Sequence, residues 1–240
     1  MARFDYSVLT GNPTINIDAP GVFRPTGTTF VLMSAASQVV KPGDRVLDLG
    51  CGSGIVGLEL LNRFHDLGGI EMFMSDISQS AVELTSKNLA ETNFSAEIRR
   101  GPLLAPWLMD KFDVLVSDVS AVVPEVGLKF GWFGEAPNES GSLGVDLALE
   151  VILKASQHFR SSASTLLMPL ISLSDIETQI QELKQNFRSV TITEKQKWPM
   201  GVLDDETESL LNSYPFIGYE RVGKLGVFWT QVAVAKNPRN

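Results

Sequence analysis

The residues of this chain that can do chemistry fall in four short stretches. The first is Asp48-Leu49-Gly50-Cys51-Gly52-Ser53-Gly54-Ile55-Val56-Gly57. Alternate glycines permit a tight turn and let a ligand approach the backbone with no side chain between. The apolar run Ile55, Leu58, Leu60, Leu61 reads as a helix whose free N–H groups and partial positive charge face that turn. Gly52-x-Gly54-x-x-Gly57 formally satisfies a dinucleotide fingerprint, in which a pyrophosphate rests on the helix start. Asp48 argues against that ligand, because a carboxylate there repels a pyrophosphate and attracts an ammonium group. The second stretch ends on Asp76, which can accept both hydroxyls of a ribose, and Ile77, which can pack on an adenine face. The plain alternative for Asp76 is an acid favoured at the start of the following helix. The third is Gly101-Pro102-Leu103-Leu104, and the fourth Ser117-Asp118-Val119-Ser120-Ala121.

Those stretches need elements to hold them, and the sequence supplies a regular alternation. Residues 1–27 read as an irregular lead-in, and Thr28 as the cap of a helix running to about Val39. Strands are expected at Val46–Leu49, Ile70–Ser75, Ala96–Arg100 and Phe112–Ser117, with helices to about His65 and over 78–91. A long, mobile, glycine-rich loop is expected at 127–144. A helix from Val145 to about Phe159, a strand Ser164–Leu170, a helix Asp175–Phe187, and strands Ser189–Lys195 and Val227–Ala235 follow. This pattern implies an α/β fold with a mostly parallel sheet covered by helices on both faces. The last strand follows a strand with no strong helix between, so it enters antiparallel. Ligands on such sheets bind beyond the carboxyl ends of the strands, where all four stretches lie.

Composition narrows the classes of function. The 240 residues are 44% hydrophobic and 20% charged, typical of a globular domain. No run approaches the roughly 18 apolar residues of a membrane span. The opening Met-Ala-Arg-Phe-Asp-Tyr lacks the apolar core of a secretory signal, and Cys51 is the only cysteine; the expectation is a cytoplasmic protein. One cysteine and two histidines offer no plausible metal cluster. Placed inside the glycine turn, Cys51 reads as a backbone position and not a reactive thiol. A net charge of −8 disfavours nucleic acid as a partner, because phosphate neutralisation needs a basic surface.

The spacing Asp48-x-Gly50-x-Gly52-x-Gly54 resembles the first motif of the class I S-adenosylmethionine-dependent methyltransferases. The resemblance implies their Rossmann-like, seven-stranded, mostly parallel sheet with an antiparallel last strand. It also implies S-adenosylmethionine as cofactor and S-adenosylhomocysteine as product. The cofactor-binding residues it implies are Arg24, Thr29, Asp48, Gly50, Cys51, Gly52, Gly54, Asp76, Ile77, Leu103 and Asp118. Residues 1–40 become a lead-in with a cofactor-covering helix, and 41–240 the catalytic domain, in a single-domain protein overall. Within the superfamily the chain looks most like the release factor glutamine methyltransferases and related N-methyltransferases. Pro25-x-x-x-Thr29, the glycine motif, Gly101-x-Leu103-Leu104 and the strand Phe112–Ser117 carry that likeness, with a weaker echo in Gly141-Ser142-Leu143-Gly144-Val145-Asp146.

Two departures bear on the substrate. Pro102 stands where an acid commonly takes the adenine amino group, so the Leu103 N–H is expected to read adenine, with Trp107 either a wall of that pocket or plain core. Asp118-Val119-Ser120-Ala121 replaces the branch's Asn-Pro-Pro-Tyr, and the stacking ring is gone. Asp118 and Ser120 are the candidate catalytic residues, with Glu125 a further candidate; the alternative for Asp118 is a helix N-cap for Ala121–Val126. His65 and His158 are expected at the surface. Aromatics of 127–144 and 197–223 are read as substrate walls or as ordinary core. The expected reaction is methyl transfer to a small molecule or a peptide side chain. Alternatives are an amide or nucleic-acid N-methyltransferase, and a catalytically silent partner subunit of the same fold.

Overall fold

The computed structural model describes residues 15–239; residues 1–14 of the expected lead-in lie outside the described residues. In chain order the elements are α1 Gly27–Val39, β1 Arg45–Leu49, α2 Ile55–Phe64, β2 Glu71–Asp76, α3 Gln79–Ala90, β3 Ala96–Arg100, β4 Val114–Ser117 and α4 Pro124–Lys129. They continue with α5 Asp146–Ala155, β5 Thr165–Ile171, α6 Ile176–Asn186, β6 Phe187–Ile192, β7 Gln196–Val202, α7 Asp205–Asn212, β8 Glu220–Val222 and β9 Leu225–Pro238. One sheet runs β3-β2-β1-β4-β5-β9-β6. The first five strands along that path are parallel, and β9 lies antiparallel between β5 and β6. The seven-stranded, mostly parallel sheet with an antiparallel last strand is therefore present. No helix among the described residues is long and apolar enough to cross a membrane.

Strand alternation sorts the side chains into two apolar layers. Val46, Met72, Met74, Val114, Val116, Leu167 and Val232 point to the face covered by α1 and α2. Leu47, Leu49, Phe73, Leu115, Leu166, Met168 and Ala233 point to the other, covered by α5, α6 and the Trp107 turn. Asp48 sits two residues after Val46 and is fully buried one residue before the carboxyl end of β1. A carboxylate at such a position costs folding free energy unless something offsets it. Gly57 lets α2 lie close to β2, since a Cβ there would meet the Met74 sulfur at 2.5 Å.

The sheet carries more than seven strands among the described residues, because β7 and β8 also pair with β9. Strand β9 pairs with β5 only from Thr230 to Lys236, so Leu225–Trp229 project past the carboxyl end of β5. There β7 and β8 flank them and carry α7. The sequence hid β7 because Gln-Lys-Trp-Pro-Met-Gly-Val has no apolar alternation and contains Pro199 and Gly201, where the register shifts. Strand β8 is three exposed residues. This extension packs with residues after β4 into a third apolar cluster, with Ala121, Val123, Val126, Leu173, Met200 and Leu211 at its centre.

The loop expected at 127–144 is shorter and better anchored. Helix α4 takes its first residues, with Pro124 in the first turn, where its missing N–H is harmless. Beyond it Ser140 is fully buried and bonded to the Val122 carbonyl, and the Asp175 N–H donates to Leu143. Helix α1 begins at Gly27, capped by Thr26, two residues earlier than expected. Thr28 is instead inside the helix, and its hydroxyl meets that of Thr230 at 2.8 Å in a buried pair. Thr28→Val leaves the Thr230 hydroxyl buried and unpaired, and is expected to cost about 1–3 kcal/mol in a denaturant melt. The double variant with Thr230→Val is expected to regain part of that loss; a fully additive loss would show that the pair does not couple.

Candidate active site

The glycine turn joins β1 to α2 at the carboxyl end of the sheet, with the Gly50 and Cys51 N–H groups on the Ser75 carbonyl of β2 at 2.9 and 3.0 Å. Gly50 has φ +79°, and a Cβ there would stand 3.0 Å from the Asp118 carbonyl oxygen. Gly54, also at φ +79°, faces Thr85 of α3 at 2.8 Å. Any L side chain at these two positions is strained twice, by dihedral and by contact. The Cys51 thiol is buried at 3.6 Å from the Thr85 hydroxyl. Burial and the nearby carboxylates of Asp48 and Asp76 push its pKa up, so it stays a neutral thiol.

Three carboxylates converge on this turn. Asp48 accepts the Gly57 N–H at 3.0 Å through Oδ2, while Oδ1 is buried with no partner. Burial, then the charge of Asp118 and that of Asp76, push its pKa up to about 8, against the Gly57 hydrogen bond. Asp76 spans two backbone donors, Gly52 at 3.0 Å and Ser78 at 2.8 Å. Its pKa is raised by burial, with those bonds opposing. Asp118 is half-buried at the end of β4; burial lifts its pKa to about 6, and the Thr29 hydroxyl of α1 acts the other way. Thr29 in turn accepts the Thr26 N–H at 3.3 Å, which fixes its hydroxyl toward Asp118. No Lys, Arg or His among the described residues forms an ion pair with any of the three.

Helix capping does not explain Asp118. The next helix, α4, starts at Pro124 with Val123 at its N-cap, five residues too late for Asp118 to serve it. Ser120 donates to the side-chain oxygen of Asn138, which also lies 3.2 Å from the Ser140 hydroxyl. Glu125 is exposed and bonded to the Tyr214 hydroxyl. Ile77 is 49% exposed beside Asp76, an apolar side chain left uncovered at the expected adenine position. Leu103 adopts φ +44°, unusual for a branched residue, and its N–H has no hydrogen bond among the described residues. Arg24 is engaged by Asp18 at 2.5 Å, with both side chains more than half exposed.

One open alternative is settled and one reading needs correction. Trp107 is not a wall: it is fully buried, donates from Nε1 to Ser75 Oγ at 2.9 Å and packs edge-on against Phe73 and Phe112. His158 is not a surface residue: it is 4% exposed at the end of α5, and burial lowers its pKa. Its place at the amino end of the sheet, where Phe112 donates to its carbonyl, keeps it away from the site. His65 is exposed as expected. Sequence reasoning named Phe133 only among the aromatics of 127–144 and gave Phe23 no role of its own. The Phe23 carbonyl lies 3.5 Å from where a Gly52 Cβ would be, and its ring meets Phe133 at 5.1 Å. The segment before α1 thus runs across the glycine turn, pinned by Asn88 to the Asn16 backbone and by Ser78 to Gly21. These contacts join residues 29 to 110 positions apart, and no local pattern announces them.

Residues 17–118 match the family model described as methyltransferase small domain. Ribosomal protein L11 methyltransferase of Shouchella clausii is 33% identical over 124 residues, covering 50% of this chain and 38% of the relative. That of Thermosipho africanus is 34% identical over 128 residues, 52% of this chain and 47% of the relative. The matched stretch therefore spans less than half the length of these relatives. Among solved structures, a ribosomal protein L11 methylase of Lactobacillus delbrueckii subsp. bulgaricus aligns with TM-score 0.56 and 20% identity, over 93% of this chain and 85% of that one. A T. thermophilus 16S rRNA N2 G1207 methyltransferase, solved with AdoMet and guanosine, aligns with TM-score 0.58 and 16% identity, over 91% of this chain and 46% of that one. At these identities the alignments establish the Rossmann-like methyltransferase fold.

The raised pKa of Asp48 has a consequence for stability. The folded chain keeps a proton that the unfolded chain loses above the ordinary value of 3.8, so stability falls as pH rises from about 4 to about 8. Asp48→Asn removes that dependence while an amide oxygen still accepts from Gly57. The ligand-free variant is expected to melt at least about 2–4 °C above wild type at pH 8, and close to it at pH 5. Equal melting curves at both pH values would show that Asp48 is not destabilised by its charge.

Proposed function

We propose that this chain is an S-adenosylmethionine-dependent methyltransferase acting on an amino group carried by a polypeptide. The observation that carries the reading is the trio Asp48, Asp76 and Asp118, which form no ion pair with a basic side chain among the described residues. Such a site favours cationic ligands and opposes the pyrophosphate of a dinucleotide. The buried, unpartnered Oδ1 of Asp48 fits the ammonium of the cofactor's amino-acid end. Asp76, fixed by Gly52 and Ser78, fits the ribose hydroxyls through its remaining lone pairs. Ile77 and the unspent Leu103 N–H fit adenine, and Gly50, Gly52, Gly54 and Cys51 supply the backbone cradle. We assign α1 as the helix that covers the cofactor, with Thr29 holding Asp118.

S-adenosylmethionine supplies a methyl group on a positively charged sulfur. The chain's own task is then to place a nucleophile in line and keep its lone pair free, which is largely positioning. An amine is protonated at neutral pH, so something must take its proton. Asp118, with its pKa near 6, is ionised at pH 7 yet close enough to neutrality to accept one. Ser120, tied to Asn138, borders the same turn and orients the acceptor. The relatives named for ribosomal protein L11 support a protein acceptor, and the chain's acidity and the absence of an aromatic at Ala121 point the same way. The neighbour solved with guanosine is the counter-example that the acceptor experiment must address.

Calorimetry with S-adenosylmethionine, S-adenosylhomocysteine, NAD and NADP is expected to show binding of the first two, and of the nucleotides at least about 100-fold more weakly; NAD binding without S-adenosylmethionine binding would sink the cofactor assignment. Tritiated S-adenosylmethionine with total ribosomal protein and, separately, total ribosomal RNA is expected to label protein. Label in RNA alone would replace the acceptor reading, and no label in either would favour a silent subunit. Asp118→Ala is expected to leave S-adenosylhomocysteine affinity within a few fold and to cut turnover by about 10²-fold. Wild-type turnover in that variant would remove Asp118 from the chemistry.

A further inference from the structure

Past the strand-four turn the surface changes character. The rings of Phe130 and Trp132 stack at 5.0 Å and 16°, and Trp132 meets Phe228 of the β9 extension at 5.5 Å. All three are only half-buried, and they continue through Phe133 to Phe23 above the glycine turn. Leu128 on α4 is 81% exposed, and Val202 on β7 is 60% exposed. The result is an aromatic and aliphatic surface that leads from the outer end of the extension to the turn holding Asp118.

Its surroundings are acidic. Residues 118–146 carry five acids and one base, and residues 197–224 five acids and three bases, so the two segments hold a net −6 of the chain's −8. Three of those four bases are already spent inside the region: Lys129 on Glu206, Lys197 on Glu220 and Arg221 on Glu208. Glu135, Glu139 and Asp205 are exposed and form no ion pair among the described residues. Half-buried aromatics in an acid-rich frame suit a chain that offers both methylene stems and cationic heads. Lysine and arginine offer both, and cations are attracted to ring faces.

We infer that Phe130, Trp132 and Phe228, framed by the acids of the β4–α5 loop and of α7, dock a basic polypeptide segment that delivers the acceptor amine to Asp118. The occupant follows from charge complementarity: nucleic acid would bring phosphates against a net −6 surface, and a basic segment brings the opposite sign. The inference rests on the polypeptide reading above and adds where the substrate chain lies. It also gives the extension a task, since β7, α7 and β8 pack with the residues after β4 and build one wall of this surface.

The test uses the full chain and a fluorescein-labelled amphipathic peptide of lysine and leucine, its glutamate-for-lysine counterpart, and total tRNA, read by anisotropy. S-adenosylhomocysteine affinity is measured in parallel. The lysine peptide is expected to bind, and the glutamate peptide and tRNA are not. Trp132→Ala is expected to weaken peptide binding about tenfold or more. The surface double variant Glu135→Lys with Glu139→Lys, which disturbs no packing, is expected to weaken it about threefold to tenfold. Neither should change S-adenosylhomocysteine affinity by more than about twofold. Failure of the lysine peptide to bind, equal binding by all variants, or tRNA bound as tightly as the peptide would overturn the docking surface. Failure of wild type to bind S-adenosylhomocysteine would instead strike the methyltransferase reading, so the two failures are distinct.

Discussion

A carboxylate near the carboxyl end of a buried central strand is the constraint on which the rest of this structure turns. Asp48 occupies a position that alternation gives to an apolar residue, between Val46 and the glycine turn, and it is fully buried. One oxygen holds the Gly57 N–H and so ties the strand to α2; the other has no partner. Two further acids press on it from neighbouring strand ends, and no basic side chain among the described residues pairs with the three. Folding free energy is spent here on a field that a bound proton or a cation relaxes. Proteins accept such local cost at functional sites, and the compensation is bound ligand.

The surrounding fold holds that field in place. The parallel strands bring Asp48, Asp76 and Asp118 to one edge because β1 lies between β2 and β4, and each acid sits at or near the carboxyl end of its strand. Helix α1 reaches the edge from the chain's amino side through Thr29, and the segment before it crosses the turn as far as Phe23. On the other side β9 outruns the parallel strands and carries β7, α7 and β8 beyond them. The glycine turn and the β9 extension thus lie on two sides of Asp118, and the Phe23–Phe133 contact joins the segment before α1 to the residues after α4.

The glycine turn and its acids were legible in the sequence, and the extension only as aromatics with an open role, for a physical reason. Asp48, the alternate glycines and Asp76 are local: each falls within a strand and its next turn, where spacing alone fixes the geometry. The antiparallel last strand was legible too, since no helix separates it from its predecessor. Asn138, Phe133 and Phe23 acquire meaning only from contacts between distant segments. Strand β7 was hidden by Pro199 and Gly201, and β8 by its length of three residues. Trp107 shows the converse: its place after β3 suggested a pocket wall, but its Nε1 found Ser75, and the ring became core. At Asp118 the competing helix-cap explanation depended on a helix starting at residue 121, and Pro124 moved that start out of reach.

Proton linkage tests the central claim, that a cation completes the carboxylate trio. Without ligand, Asp48 titrates near pH 8 and is largely protonated at pH 7. An ammonium group placed against it favours the carboxylate and expels that proton. Calorimetric titration of S-adenosylhomocysteine at pH 7, repeated in buffers of different ionisation enthalpy, counts the protons exchanged. The account predicts release of most of one proton by wild type and almost none by Asp48→Asn. Proton uptake, or no exchange by the wild-type protein, would contradict it.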